Sequence, residues 1–187
     1  MRELSLHIMD IAENSVSAQA SRITISVKED YLSDRLIITV EDDGVGMDAE
    51  TAYRVIDPFM TSRTTRNVGL GIPLLKGAAE LCDGDLKIYS SPGMGTVIDV
   101  DFQRSHLDRM PLGDLSSTCL TLLVAHPDIH WIFNYTVVSP GNQITEFIFD
   151  DAPIKETLDG VPLSNPLVLN YLRGLFEEGI REPEISD

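Results

Sequence analysis

The first 104 residues predict a two-layer α/β sandwich: a mixed sheet with helices on one face. Three observations carry the prediction. Apolar residues recur at three- and four-residue spacing over 3–20 and again over about 72–81, the period of a helix buried on one side. "RITISVK" (22–28), "RLIITVED" (35–42) and "DLKIYSSPGMGTVIDVDFQ" (85–103) alternate with a period of two, as half-buried strands do. The resulting order, α-β-β-α-loop-α-β-β, gives one sheet whose apolar face needs a layer of helices.

In the opening helix the stripe is Leu4, Ile8, Ile11 or Ala12, and Ser15 or Val16. Ile23, Ile25 and Val27 then point one way along the first strand, and "EDYLSD" reads as a polar turn into the second. Ala49–Ile56 is a short helix closed by Asp57-Pro58, and residues 61–68 form a polar loop. Pro73 is tolerable only in the first turn of the next helix. A hairpin with a Gly-rich turn ends the region near Arg104. Residues 105–187 read as a separate small α+β unit: a helix over about 114–125, a hairpin of "HWIFNYTVV" and "ITEFIFDD" joined by "SPGNQ", and one or two short helices through "NPLVLNYLRGLFEEG". Trp131, Phe133 and Tyr135 alternate and form its core face, and the last residues are expected to fray.

Charge and composition exclude several classes. The net charge is -16, from 14 basic and 30 acidic residues, against a basic nucleic-acid footprint and against docking on an anionic membrane. The apolar runs fall far short of the roughly 20 residues of a membrane helix. The N-terminus carries acids and a histidine where a signal peptide would be apolar, so a cytoplasmic location is expected. Cys82 and Cys119, far apart and in no ligand-spaced motif, read as buried thiols.

Three stretches at element ends bear chemistry. Asp10 and Asn14 lie four apart on the opening helix and project from one face. Asn14 can offer a neutral oxygen to Mg²⁺, and Asp10 can orient or deprotonate a nucleophile. "VEDDGVGMD" (40–48) places two acids and Gly-x-Gly directly after an apolar strand; a carboxylate there can accept from an exocyclic amine such as that of adenine. In "TSRTTRNVGLGIP" (61–73) hydroxyl and basic donors precede Gly69-Leu70-Gly71 and a helix start, where unpaired backbone N–H groups favour an anion. The stretch fits neither G-x-G-x-x-G nor the P-loop.

Together, in this order, these stretches resemble the GHKL superfamily, the ATPases typified by histidine kinases, DNA gyrase B, the ninety-kilodalton heat-shock chaperones and the mismatch-repair MutL proteins. "DIAENSVSAQA" is similar to the asparagine box, "DDGVGM" to the first glycine box, "DPFMTSR" to the phenylalanine box and "VGLGIP" to the second glycine box. "GMGTVIDV" is similar to the closing strand with its Gly-Thr. The resemblance implies the Bergerat fold over roughly Arg2–Phe102 and a site for ATP and Mg²⁺. Asn14 would hold the metal. Asp42 would accept the adenine amino group, beside Gly44, Gly46, Met47 and Thr96. Thr61, Ser62 and Arg63 through Val68 would form a lid, disordered without nucleotide, and Gly69, Leu70 and Gly71 would meet the phosphates. Asp10 stands where gyrase-like members carry a glutamate base, one methylene shorter. Glu13, about 100° around the helix from Asn14, ranks second.

The chain begins at the helix of the asparagine box, so no phosphoacceptor hairpin is expected before it. His7 shares the face of Asp10 and Asn14 and is expected to pack rather than accept phosphate. Ser17 replaces the basic residue usual in histidine kinases. The tail carries 4 basic and 13 acidic residues, and Lys155 is its one lysine. It is expected to be a docking or homodimerising appendage. The reading is a histidine-kinase-like ATP-Mg²⁺ module, a protein kinase or ATPase, that phosphorylates or regulates an unidentified protein partner in signalling. The alternatives are a nucleotide sensor with negligible turnover and an anti-sigma-factor-type serine kinase.

Overall fold

A computed structural model describes residues 3–56 and 71–181. Among these, the elements in chain order are α1 (Leu4–Ser17), β1 (Arg22–Asp30), β2 (Arg35–Asp42), α2 (Ala49–Ile56), α3 (Gly71–Glu80), β3 (Asp85–Ser91), β4 (Gly95–Gln103), α4 (Leu115–Ala125), β5 (His130–Val138), β6 (Ile144–Asp150), α5 (Ala152–Leu158) and α6 (Pro166–Gly179). One sheet takes all six strands in the order β3-β4-β2-β1-β5-β6. The β1–β5 pair is parallel and the other neighbours are antiparallel.

Strict alternation explains why one face is covered. Ile23, Ile25 and Val27 of β1 stand opposite Asp42, Val40 and Ile38 of β2, and opposite Trp131, Phe133 and Tyr135 of β5. All of these are buried. Leu4, Ile8, Ile11 and Ala12 of α1, with Ile72, Leu75 and Ala79 of α3, close the layer above them. The opposite face is half exposed, with Ser26, Lys28, Thr39 and Asn134 along its centre. This is the sandwich that the sequence predicts.

The tail does more than append. Its strand β5 pairs with β1 from Arg22↔His130 to Asp30↔Val138, so residues 105–181 extend the first sheet instead of building their own. Its core is continuous with that of residues 3–56 and 71–104: Phe133 stacks on Trp131 (5.7 Å between centroids) and meets Phe176 of α6 edge-on (5.6 Å). A parallel partner so far along the chain has no local signature, which is why the sequence suggests a separate unit.

Two smaller differences have local causes. The first strand runs on to Asp30, because the buried Glu29 carboxylate accepts from the Tyr135 hydroxyl (2.6 Å). Asp30 then caps the turn, accepting from the N–H groups of Leu32 and Ser33. Helix α5 escapes the sequence reading because it buries no residue and so shows no apolar period. Cys82 and Cys119 are buried free thiols, as expected, and burial pushes both pKa values up. No helix among the described residues is long and apolar enough to cross a membrane. Residues 182–187, expected to fray, lie outside the described residues.

Candidate functional site

A cavity of about 270 Å³ opens where α1, the end of β2, the start of β4 and α3 meet. Asn14, Ser15, Asp42 and Thr96 supply polar groups to its wall, and Ile11, Val45, Met47, Val55, Ile72 and Ile98 make most of the remainder apolar. A mostly apolar pocket with a few convergent polar groups is what a small-molecule site requires.

Asp42 reaches the cavity through the register of β2. Leu36, Ile38 and Val40 face the core, and Asp42 continues that row to the strand's end, opposite Thr96 of β4. It is only 8% exposed, and both of its oxygens are engaged. Ser15 Oγ donates to Oδ2 at 2.6 Å and the Gly44 N–H donates to Oδ1 at 2.9 Å. Asp43, its neighbour, has a structural task. It accepts from the Ser21 and Arg22 N–H groups (2.7 and 2.8 Å) and from the Ser21 hydroxyl (2.6 Å), pinning the loop to the start of β1. Burial alone would raise the Asp43 pKa, but these bonds hold it below the ordinary carboxylate value.

The Gly-x-Gly loop is clamped from both sides. The Val45 N–H donates to the Ala18 carbonyl at the end of α1, and the Met47 N–H donates to Ser90 Oγ of β3. Gly46 adopts φ +65°, and a Cβ there would stand 2.0 Å from the Ser91 carbonyl oxygen, so no other residue fits without moving the hairpin. Ser90 Oγ and Thr96 Oγ1 are 2.9 Å apart, which holds the Thr96 hydroxyl at the cavity wall.

The α1 face divides as expected. Asp10 and Asn14 are exposed, while Ser15 and His7 are buried. The Asp10 carboxylate lies against the first residue of α3, where a Cβ on Gly71 would be 2.0 Å from Oδ2. Glu13 instead pairs with His126 Nε2 at 2.9 Å, away from this contact. Burial lowers the His7 pKa, against the opposing pulls of Asp10 and the Gly71 backbone. Lys76 pairs with Glu80 and Asp85, and Lys155 with Asp151 and the Ile129 carbonyl.

Of the residues picked from sequence, Asn14, Asp42, Gly46, Met47 and Thr96 line one cavity, Gly44 braces Asp42, and Asp10 and Gly71 meet each other. Thr61, Ser62, Arg63, Val68, Gly69 and Leu70, and with them the lid and its expected disorder, lie outside the described residues. Sequence reasoning missed the apolar wall and, among polar groups, Ser15 and Thr51 of the cavity lining and Ser90 behind it. Ser15 had a readable signal, a hydroxyl at a core position of an apolar stripe; Ser90 had none beyond lying on a strand.

Comparison with known proteins places the chain in a family. A family model described as histidine kinase-, DNA gyrase B-, and HSP90-like ATPase matches residues 2–106. The non-motile and phage-resistance protein of Caulobacter vibrioides is 29% identical over 111 residues, covering 54% of this chain and 13% of that protein. The signal transduction histidine-protein kinase AtoS of Escherichia coli is 30% identical over 89 residues, covering 47% of this chain and 14% of its own. The chain thus spans about one seventh of these relatives. The crystal structure of the N-terminal domain of a DNA repair protein aligns with a TM-score of 0.51 at 15% identity, over 78% of this chain and 52% of its own, a likeness of fold alone.

Proposed function

The chain belongs to the histidine kinase-, DNA gyrase B- and HSP90-like ATPase family and is related to histidine kinases, and from that premise we propose that it binds ATP with Mg²⁺ and passes a phosphoryl group, or a nucleotide-dependent signal, to a separate protein. One observation carries this reading: a buried carboxylate, Asp42, and an exposed carboxamide, Asn14, line one largely apolar cavity. Adenine would enter with its amino group toward Asp42 and its faces against Val45, Met47, Ile72 and Ile98. Thr96 and Gly46 line the same cavity. The residues present suit the metal as well, since Mg²⁺ takes one or two protein oxygens and fills its remaining positions with phosphate and water. Asn14 would be the protein ligand. The metal would offset phosphate charge in a chain that is itself strongly acidic.

Phosphoryl transfer asks mainly for positioning and charge stabilisation. In this reading Asp10 orients the acceptor beside the start of α3, and the lid donors at 61–63 and the 69–71 backbone hold the phosphates. In this reading the acceptor lies outside the described residues. His7 is buried, His126 and His130 are bonded to Glu13 and Asp150, and the ring nitrogen of His106 accepts from the Asp108 N–H. Incubation with γ-labelled ATP and proteins encoded beside this one is expected to label a partner. Acid-labile label indicates histidine, and acid-stable label indicates serine. Tight ATP binding with no label on any partner would favour the sensor reading and overturn the kinase one.

A further inference from the structure

We propose that His130, Asp150 and Asp151 form a binding site for a divalent first-row transition ion of the Zn²⁺ class; the site lies outside the nucleotide cavity and does not depend on the nucleotide reading. His130 opens β5, Asp150 closes β6 and Asp151 precedes α5, so three elements of the tail meet here. One ligand atom from each side chain falls within 4.8 Å of the others. His130 Nε2 is 2.9 Å from Asp150 Oδ1 and 4.0 Å from Asp151 Oδ1. Ligands around a tetrahedral zinc, at about 2.0–2.2 Å from it, stand roughly 3.4 Å apart, so small side-chain rotations would admit the ion. Asp151 points to a ligand by itself. Its side chain is 1% exposed, stands at the N-cap of α5 without making the cap bond, and has no hydrogen-bond donor to Oδ1 among the described residues. Lys155 Nζ is 2.6 Å from Oδ2 and also donates to the Ile129 carbonyl, which holds the carboxylate by its other oxygen. A buried carboxylate oxygen without a partner is costly, and a metal ion would satisfy it. Asp150 is braced as well, since its Oδ1 accepts from the Ala152 N–H at 2.9 Å. An imidazole nitrogen beside carboxylate oxygens suits zinc and its neighbours, whereas Mg²⁺ and Ca²⁺ favour oxygen alone. His130 and Asp150 reach solvent, so water can take the fourth position. The ion would tie β5 to the corner between β6 and α5, a helix that buries no residue of its own.

The test is calorimetric titration of the full chain, stripped of metal, with ZnCl₂ in buffer containing Mg²⁺ in excess and no nucleotide. The wild type is expected to bind a first zinc ion at one per chain, with Mg²⁺ failing to displace it. His130→Ala and Asp150→Asn should each weaken that binding at least about tenfold. Asp150→Asn keeps an oxygen for the Ala152 N–H, so it tests the ligand even if His130→Ala does not fold. His126→Gln removes the histidine that pairs with Glu13 and should leave zinc affinity unchanged. Backbone amide shifts on zinc addition should centre on His130, Asp150 and Asp151. Equal zinc affinity in the wild type and in Asp150→Asn, or shifts centred on His126 and Glu13, would mean an adventitious ion only and overturn the inference. A wild type that binds no zinc would overturn it too, and would leave the nucleotide reading untouched.

Discussion

Asp42→Asn is expected to weaken ATP binding on the order of 100-fold, the largest single effect the site predicts. The carboxylate accepts from Ser15 and from Gly44 on different oxygens. A carboxamide has one acceptor oxygen, so its NH₂ group must face one of those two donors. The variant therefore loses the charge that would hold an amine and leaves a buried donor without its partner. A buried donor left unsatisfied costs about 1–3 kcal/mol, so a modest drop in apo stability should accompany the binding loss. Asp43→Asn makes the contrast. The Asp43 carboxylate bonds Ser21 and the first residue of β1, Arg22, and its replacement should lower stability while leaving nucleotide affinity within about threefold. Titration of both variants with Mg²⁺·ATP separates the two acids. Unchanged affinity in Asp42→Asn would collapse the whole site assignment.

Phe176→Ala is the second large effect, and it acts on the fold. Phe176 is fully buried, with ring centroids 4.7 Å from Phe149 and 5.6 Å from Phe133. Truncating a buried phenylalanine costs about 3–5 kcal/mol through lost transfer free energy and the cavity left behind. In a chain of this size that is a fall of roughly 10 °C in melting temperature. How the chain melts matters as much as how far. β5 is hydrogen-bonded to β1 along its length, and the aromatic cluster continues into the core under α1. One transition is therefore expected, followed alike by Trp131 fluorescence and by backbone circular dichroism. A separate early loss of the Trp131 signal, with the remaining ellipticity untouched, would mean that residues 105–187 melt as a unit of their own.

Much of the fold and the site is legible in the sequence because periodicity is a local property. The β2 alternation that puts Leu36, Ile38 and Val40 inward also puts Asp42 inward, so the strand's own period separates the site acid from Asp43. Asn14 and Asp10 are legible for the same reason, as two residues on one helical face. What stays hidden depends on partners distant in sequence. The Ser15 hydroxyl finds Asp42 27 residues on, and Ser90 meets Thr96 across a hairpin, so neither bond leaves a mark on its own segment. β5 joins β1 through a parallel register that no turn specifies. Helical angle alone sets Glu13 apart from Asp10; the fold adds its partner, His126 at the end of α4.

The central claim is that the cavity bounded by α1, β2 and β4 is the ATP site. Its most direct test is titration of the nitrogen-15-labelled protein with Mg²⁺·ADP, followed through backbone amide shifts. Saturable 1:1 binding is expected, with the largest shifts at Ser15, Asp42, Gly44, Gly46, Met47 and Thr96. Shifts confined to the open sheet face around Ser26, Thr39 and Asn134, or no shifts at millimolar nucleotide, would contradict it.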